Sequence, residues 1–299
     1  MYLLRILSII LLLLVFLIGC SESKTQDKIN FSEDSQLSLF SDDGERLILD
    51  KIPKRIIAFD SATVEILFKL GMGENIIGTH GFADYPPEVE NIEKLGDAFN
   101  INLEKVIELD PDLFFTFSIN SINQLREANI PVYFKKSPRN ISQILERITM
   151  WGNITGKQIE AQNLVESLQS KLNVIKGFIN NRDSDKKPSI FHDVGDYWTT
   201  GNDTFVGSIY QMLNVDNIAF DITEWKQISQ EQIVSRNPDI IITTFKEGPE
   251  KYYSIKAFST INAVKNKKVY FLDPTVISVE GPRIISAIET LAKWIYDFH

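Results

Sequence analysis

The chain offers few residues for bond-making chemistry. His80, His192 and His299 stand far apart, and Cys20 is the single cysteine. A hydrolytic enzyme needs a nucleophile with a base and an orienting group in reach of it. No Gly-x-Ser-x-Gly elbow, His-Glu-x-x-His or Gly-x-Gly-x-x-Gly occurs. Zinc or manganese capture needs several histidine and carboxylate ligands that converge, and three scattered histidines offer little toward that. The expectation is that the chain is not an enzyme. Its residues point to recognition instead. Aromatic side chains recur in segments whose glycine, proline and asparagine content marks loops. Phe82 and Tyr85 lie in 79–87, Phe99 in 96–100, Tyr197 and Trp198 in 195–202, and Trp225 follows Thr223-Glu224. Each aromatic can bury about 150–250 Å² against a flat ligand. Arg283 follows Gly281-Pro282 at a helix start, where the dipole disfavours a cation. It calls for an anionic or carbonyl-rich partner, or an ion pair with Glu280 or another nearby acid.

These loops need elements that hold them at one edge. Arg55-Ile56-Ile57-Ala58-Phe59 and Ile76-Ile77-Gly78 read as short buried strands. The helix between them carries Val64, Leu67 and Phe68, with Asp60 or Ser61 as cap and Gly71 as stop. Residues 36–40 and 46–49 flank Ser41-Asp42-Asp43-Gly44 as a hairpin. Further on, 189–194 is a strand, and Phe205, Ile209, Met212 and Leu213 mark a helix. Residues 268–272 form a strand and 273–280 a loop. A last helix opens at 281–283, with Pro282 in its first turn. Alternating strands and helices favour largely parallel sheets, whose ligand crevice lies at the carboxyl ends of the strands.

One pattern occurs twice. Leu103-Glu104 leads through a short apolar helix to Pro111-Asp112 and the strand Leu113-Phe114-Phe115-Thr116. Gln230-Glu231 leads through another to Pro238-Asp239 and Ile240-Ile241-Ile242-Thr243. The spacing from Glu to Pro is seven residues in both. Between the copies lies a proline-free span in which Leu164, Val165, Leu168, Leu172, Ile175, Phe178 and Ile179 recur at helical spacing. With Thr155 as cap, that helix would reach roughly 35 Å. Two similar lobes joined by a rigid rod follow: an N-terminal α/β lobe over 36–153, a bridging helix over 154–182 and a C-terminal α/β lobe over 183–299.

The net charge of −9 argues against a nucleic-acid partner, which would need a basic surface. Residues 1–19 read as a signal segment: Arg5, then an apolar run from Ile6 to Ile18, too short to span a bilayer comfortably. The run closes Leu17-Ile18-Gly19-Cys20, which resembles a bacterial lipobox with Cys20 as the lipidated residue. Residues 20–35 are polar enough to act as a tether. The mature protein would work outside the cytoplasmic membrane, anchored to a membrane surface by its lipid.

In their order along the chain, these segments resemble the substrate-binding proteins of bacterial ABC importers for cobalamin, ferric siderophores and haem, the helical-backbone class of periplasmic binding proteins. The resemblance runs from Ile52-Pro53-Lys54-Arg55-Ile56-Ile57 to the last helix. It rests on Asp84-Tyr85-Pro86-Pro87-Glu88, Asn102-Leu103-Glu104 with Pro111-Asp112-Leu113, Trp198-Thr199-Thr200-Gly201, Ser229-Gln230-Glu231 with Pro238-Asp239, and Gly281-Pro282-Arg283-Ile284. It implies two α/β lobes with mainly parallel sheets, one bridging helix, and a metal chelate held between the lobes with limited hinge motion. It implies no intrinsic cofactor, a monomer, and an ABC permease as partner, with Glu104 and Glu231 meeting arginines on the two permease subunits. Phe82, Tyr85, Phe99, Trp198, Trp225 and Arg283 become the candidate ligand contacts. The chain departs from the cobalamin-binding pattern at Ala98, where the aromatic is displaced to Phe99. A polyanionic siderophore would want several arginines or lysines, so a corrinoid is slightly favoured over a ferric siderophore. Haem stays open through Tyr85, His80 or His192 as axial ligand. Zinc or manganese capture and a sensor or adhesion lipoprotein are the remaining alternatives. Cys20→Ala should block processing or release the protein from membranes; a variant that is cleaved normally and still sediments with membranes would contradict lipid anchoring.

Overall fold

The computed structural model describes residues 36–97, 99–182 and 186–298. The signal segment expected over 1–19, the tether over 20–35, Cys20 and Ala98 lie outside the described residues. The first lobe begins with an antiparallel hairpin of β1 (Leu37–Phe40) and β2 (Arg46–Leu49). Four parallel strands follow: β3 (Ile56–Phe59), β4 (Ile76–Thr79), β5 (Leu113–Thr116) and β6 (Val132–Phe134), in spatial order β4-β3-β5-β6. Helices α1 (Ser61–Lys69), α2 (Leu103–Leu109), α3 (Ile122–Glu127) and α4 (Ile141–Thr155) cover the sheet. All residues of β3 and β5 are buried, as an apolar run in a parallel sheet covered on both faces requires. Ile56, Ala58, Leu113 and Phe115 face one layer, and Ile57, Phe59 and Phe114 the other.

The rod is α5 (Gln158–Asn180), 23 residues long. It starts later than the 154–182 expected, because α4 occupies the approach. The Thr155 hydroxyl donates back to the Trp151 carbonyl at 2.7 Å, so Thr155 closes α4 instead of capping α5. Gly156, at φ +71°, makes the left-handed turn between the two helices. They pack so closely that a Cβ on Gly152 would lie 2.4 Å from the Ala161 Cβ.

The second lobe repeats the plan. Its elements are β7 (Ser189–Asp193), β8 (Trp198–Thr200), α6 (Phe205–Met212), β9 (Asp216–Asn217), β10 (Trp225–Gln227), α7 (Gln230–Arg236), β11 (Ile240–Thr243), α8 (Gly248–Ser254), α9 (Asn262–Lys265), β12 (Val269–Phe271), α10 (Pro274–Ile277) and α11 (Ile284–Tyr296). The parallel sheet has the order β12-β11-β7-β9, and β8 pairs with β10 as an antiparallel ribbon. Three expectations need correcting. The loop over 195–202 contains β8, because β10 gives its backbone a partner. The loop over 273–280 contains the short helix α10, capped by Asp273. The last helix begins at Ile284, so Pro282 precedes it and Arg283 takes the cap position without a capping bond.

The duplicated pattern folds the same way in both lobes. Asp110 and Asn237 end their helices in the left-handed conformation, at φ 41° and 43°. The Asp112 carboxylate accepts the N–H groups of Lys54 and Arg55 at 2.9 and 3.1 Å, just before β3. The Asp239 carboxylate accepts the N–H and hydroxyl of Ser189 at 3.1 Å, at the start of β7. Each Pro-Asp aspartate therefore pins its own helix–strand turn to the neighbouring strand.

One apolar core runs through both lobes. Leu168, Leu172, Ile175 and Ile179 of α5 join it, as do Ile284, Ile288, Leu291 and Ile295 of α11. A polar tie accompanies it. Arg283 Nε donates to Glu65 Oε1 at 2.7 Å, joining α11 of the second lobe to α1 of the first. Glu65 is 1% exposed. Burial pushes its carboxyl up, and the arginine opposes that. The guanidinium also lies 3.7 Å above the Tyr85 ring and donates to the Thr275 carbonyl at 3.3 Å. Arg283 is thus committed to Glu65, not to Glu280. Arg283→Ala leaves Glu65 buried and unpaired and should cost about 3–5 kcal/mol in urea unfolding. A loss below about 1 kcal/mol would contradict the tie.

Candidate functional site

Parallel strands put every following loop at the carboxyl edge of its sheet. In this protein those edges of the two lobes border one cleft, a cavity of about 390 Å³. The first lobe supplies Phe117 after β5 and Lys136, Pro138 and Arg139 after β6. The second supplies Thr204 and Phe205 at the start of α6, Glu224 and Trp225 at β10, and Ile277 and Glu280 before α11. The Thr204 hydroxyl accepts the Gly207 N–H at 3.0 Å, which fixes the start of α6 in the wall.

The aromatic residues singled out from sequence fall into separate places. Trp225, 42% exposed, lines the cleft and stands edge-on to His192 at 6.4 Å between ring centroids. Register pairs it with Thr200 and pairs Trp198 with Gln227. Alternation then puts both tryptophans on one face of the ribbon, diagonally opposite. Phe82 and Phe99, 76% and 81% exposed, sit in neighbouring loops that the Gly81 N–H ties to the Gly96 carbonyl at 2.6 Å. Tyr85 packs under Arg283. Phe117, exposed and in the cleft wall, was missed, and Ile119, also exposed, follows it in the same loop. The signal that marked the other loops, a segment directly after a parallel strand, was available for them at β5.

Among the described residues, His80 has both ring nitrogens engaged and His192 one of its two. His80 Nδ1 accepts the Phe82 N–H at 3.1 Å, so its proton sits on Nε2, 3.0 Å from the Ser61 hydroxyl. Burial pushes its pKa down. His192 is wholly enclosed, hydrogen-bonded through Nδ1 to the Tyr210 hydroxyl, and burial pushes it down to about 4. Axial ligation through His80 would have to break these contacts, and His192 is 1% exposed.

The charges around the cleft are also largely engaged. Arg139 meets Glu224 across the opening at 3.7 Å, both well exposed. The Glu224 N–H is held by both Asp203 oxygens at 2.9 and 3.1 Å. Arg147 pairs with Asp60 at 3.7 Å and donates to the Lys136 carbonyl. Glu280 differs: among the described residues, neither an ion pair nor a side-chain hydrogen bond with another residue engages its carboxyl. Burial, opposed by the hydrogen bond from its own backbone N–H, aided by the charge of Asp60 and opposed by Arg147, pushes it up to about 7.

Glu104 and Glu231 are both exposed, at the second position of α2 and α7. Asn102 caps α2 by accepting the Lys105 N–H at 3.0 Å. Ser229 caps α7 in a reciprocal box with Gln232. Because α2 and α7 run back along their sheets, these helix starts lie at the carboxyl edges, with the cleft. The Glu231 carboxyl is held below its ordinary value by its own backbone N–H and by Ser229.

Two α/β lobes, a helical spine and a cleft at the facing strand ends define a two-lobed binding protein. The chain belongs to the periplasmic binding protein family, which matches residues 56–276. It is 33% identical over 299 residues to the ABC transporter substrate-binding lipoprotein YvrC of Bacillus subtilis, covering 96% of this chain and 95% of that one. It is 25% identical over 267 residues to a cobalamin-binding protein of Halobacterium salinarum, covering 85% and 71%. A crystal structure of a possible iron-binding periplasmic solute-binding protein of Staphylococcus epidermidis superposes with a TM-score of 0.72 at 30% identity, covering 82% of this chain and all of that one.

Proposed function

We propose that this protein captures a corrinoid, cobalamin or a close relative, in the cleft between its lobes and delivers it to the permease of an ABC importer. The observation that carries this is the chemistry of the cleft. Trp225 and Phe117 offer flat apolar surface, and Trp198 stands beside Trp225 on the ribbon. Of the arginines near the ligand space, Arg283 is taken by the buried Glu65, and Arg139 shares its charge with Glu224 in an exposed pair. Such a wall suits a large, flat chelate edged with uncharged amides better than a tris-catecholate bearing several negative charges. Similarity to a cobalamin-binding protein supports the same choice. A ferric siderophore is the second reading, favoured by the likeness to a possible iron-binding protein. Phe82 and Phe99 extend the first lobe's apolar surface along the cleft edge, and Cys20 carries the lipid that keeps the protein at the membrane.

Glu104 and Glu231 are the docking residues, one per lobe, both exposed at matching helix starts on the cleft side. Charges so placed set orientation and encounter rate with the permease. Titration with cyanocobalamin, haemin, a ferric tris-catecholate and zinc, read by tryptophan quenching, should show cyanocobalamin binding most tightly. Trp198→Ala or Trp225→Ala should weaken that binding by roughly 1–3 kcal/mol without unfolding the protein. Glu104→Ala with Glu231→Ala should keep ligand affinity and nearly abolish uptake by cells. Unchanged affinity in both tryptophan variants, or full uptake by the double glutamate variant, would overturn the corresponding assignment.

A further inference from the structure

We propose that Glu280 is the polar ligand contact of the cleft, and that it engages the chelate as the neutral acid, donating its hydroxyl proton to a carbonyl oxygen on the ligand's rim. This rests on the corrinoid reading for the identity of the carbonyl, which a corrin's amide side chains supply.

The position of Glu280 is unusually well fixed. Gly281, the next residue, presses against α1: a Cβ there would lie 2.9 Å from Glu65 Oε2 and 3.3 Å from the Ala62 Cα. A side chain at this position would have to push the Glu65 carboxyl and the backbone of α1 aside. The Gly281 N–H donates to the Val279 carbonyl at 2.8 Å, which tightens the turn. Two residues on, Arg283 is anchored to Glu65. Glu280 therefore belongs to the second lobe but is held where the two lobes touch, among the residues that line the cavity.

The groups around it decide its ionisation. Asp60, at the cap of α1, faces it with a negative charge, and Arg147 on α4 with a positive one. Arg147 is shared with Asp60 at 3.7 Å and with the Lys136 carbonyl, so it does not neutralise Glu280. Glu65 and Arg283 next to the turn cancel each other. Lys136 and the Arg139–Glu224 pair line the same cavity, together with Asp203, whose carboxylate holds the Glu224 N–H. Glu280 thus titrates near neutrality in the open cleft. A ligand that covers it removes the remaining water and favours the uncharged acid further. Binding then takes up a proton from solvent, and affinity falls as pH rises through that range. A ligand presenting amide or other carbonyl oxygens is accepted by the acid, and the carboxylate form disfavours it.

The test compares the wild type, Glu280→Gln and Glu280→Ala for cyanocobalamin binding at pH 6 and pH 8. The wild type should bind about tenfold more weakly at pH 8, since a group with pKa near 7 must then be protonated on binding. Glu280→Gln, whose amide can still donate, should bind equally at both pH values, close to the wild type at pH 6. Glu280→Ala should bind more weakly than the wild type at pH 6 and show no pH dependence. A wild-type affinity that is flat between pH 6 and pH 8, or a pH dependence that survives in Glu280→Gln, would overturn the inference while leaving the corrinoid reading intact. If the wild type binds haemin or the ferric tris-catecholate in place of cyanocobalamin, the corrinoid reading falls. The same comparison with the chelate that binds then decides the role of Glu280.

Discussion

The Glu65–Arg283 pair sets where the two lobes meet. A buried carboxylate cannot remain charged without a partner, so α1 of the first lobe and the start of α11 in the second are held in one relation. The close passage of Gly281 over α1 and the stacking of Arg283 on Tyr85 reinforce the same point. The α5 spine joins the two lobes as well. Across the cleft runs the exposed Arg139–Glu224 pair, whose strength is small in water. This arrangement suits the proposed capture of a rigid chelate between the lobes.

The duplicated helix, Pro-Asp turn and strand explain why the cleft has matching edges. Asp112 and Asp239 each bind the backbone at the start of a neighbouring strand, so each lobe receives the same turn geometry. Parallel strands then deliver their loops to one edge. The helix starts that carry Glu104 and Glu231 arrive at that edge as well. The proposed ligand contacts and the proposed docking glutamates lie together because both depend on the direction of the strands.

Much of this was legible in the residues. The buried strands, the Asp60 cap, the repeated Pro-Asp turns and the last helix follow from local chemistry, and the structure has each of them. The misses have a common cause, which is interactions distant in sequence. Thr155 looks like a cap, but α4 lies before it and takes its hydroxyl. β8 reads as a loop until β10 pairs with it. Arg283 looks like a free cation at a helix start because its partner, Glu65, lies 218 positions away. Glu280 was considered only as that partner, and its place in the cleft wall depends on how the lobes meet.

The central claim is that a flat chelate sits between the lobes while their tie stays closed. A crystal structure with cyanocobalamin tests it directly. The corrin should lie between Trp225 and the loops after β5 and β6, with one of its amide carbonyls on Glu280 and the Glu65–Arg283 pair unbroken. A corrin bound outside the cleft, or lobes that have parted at Glu65 and Arg283, would contradict it.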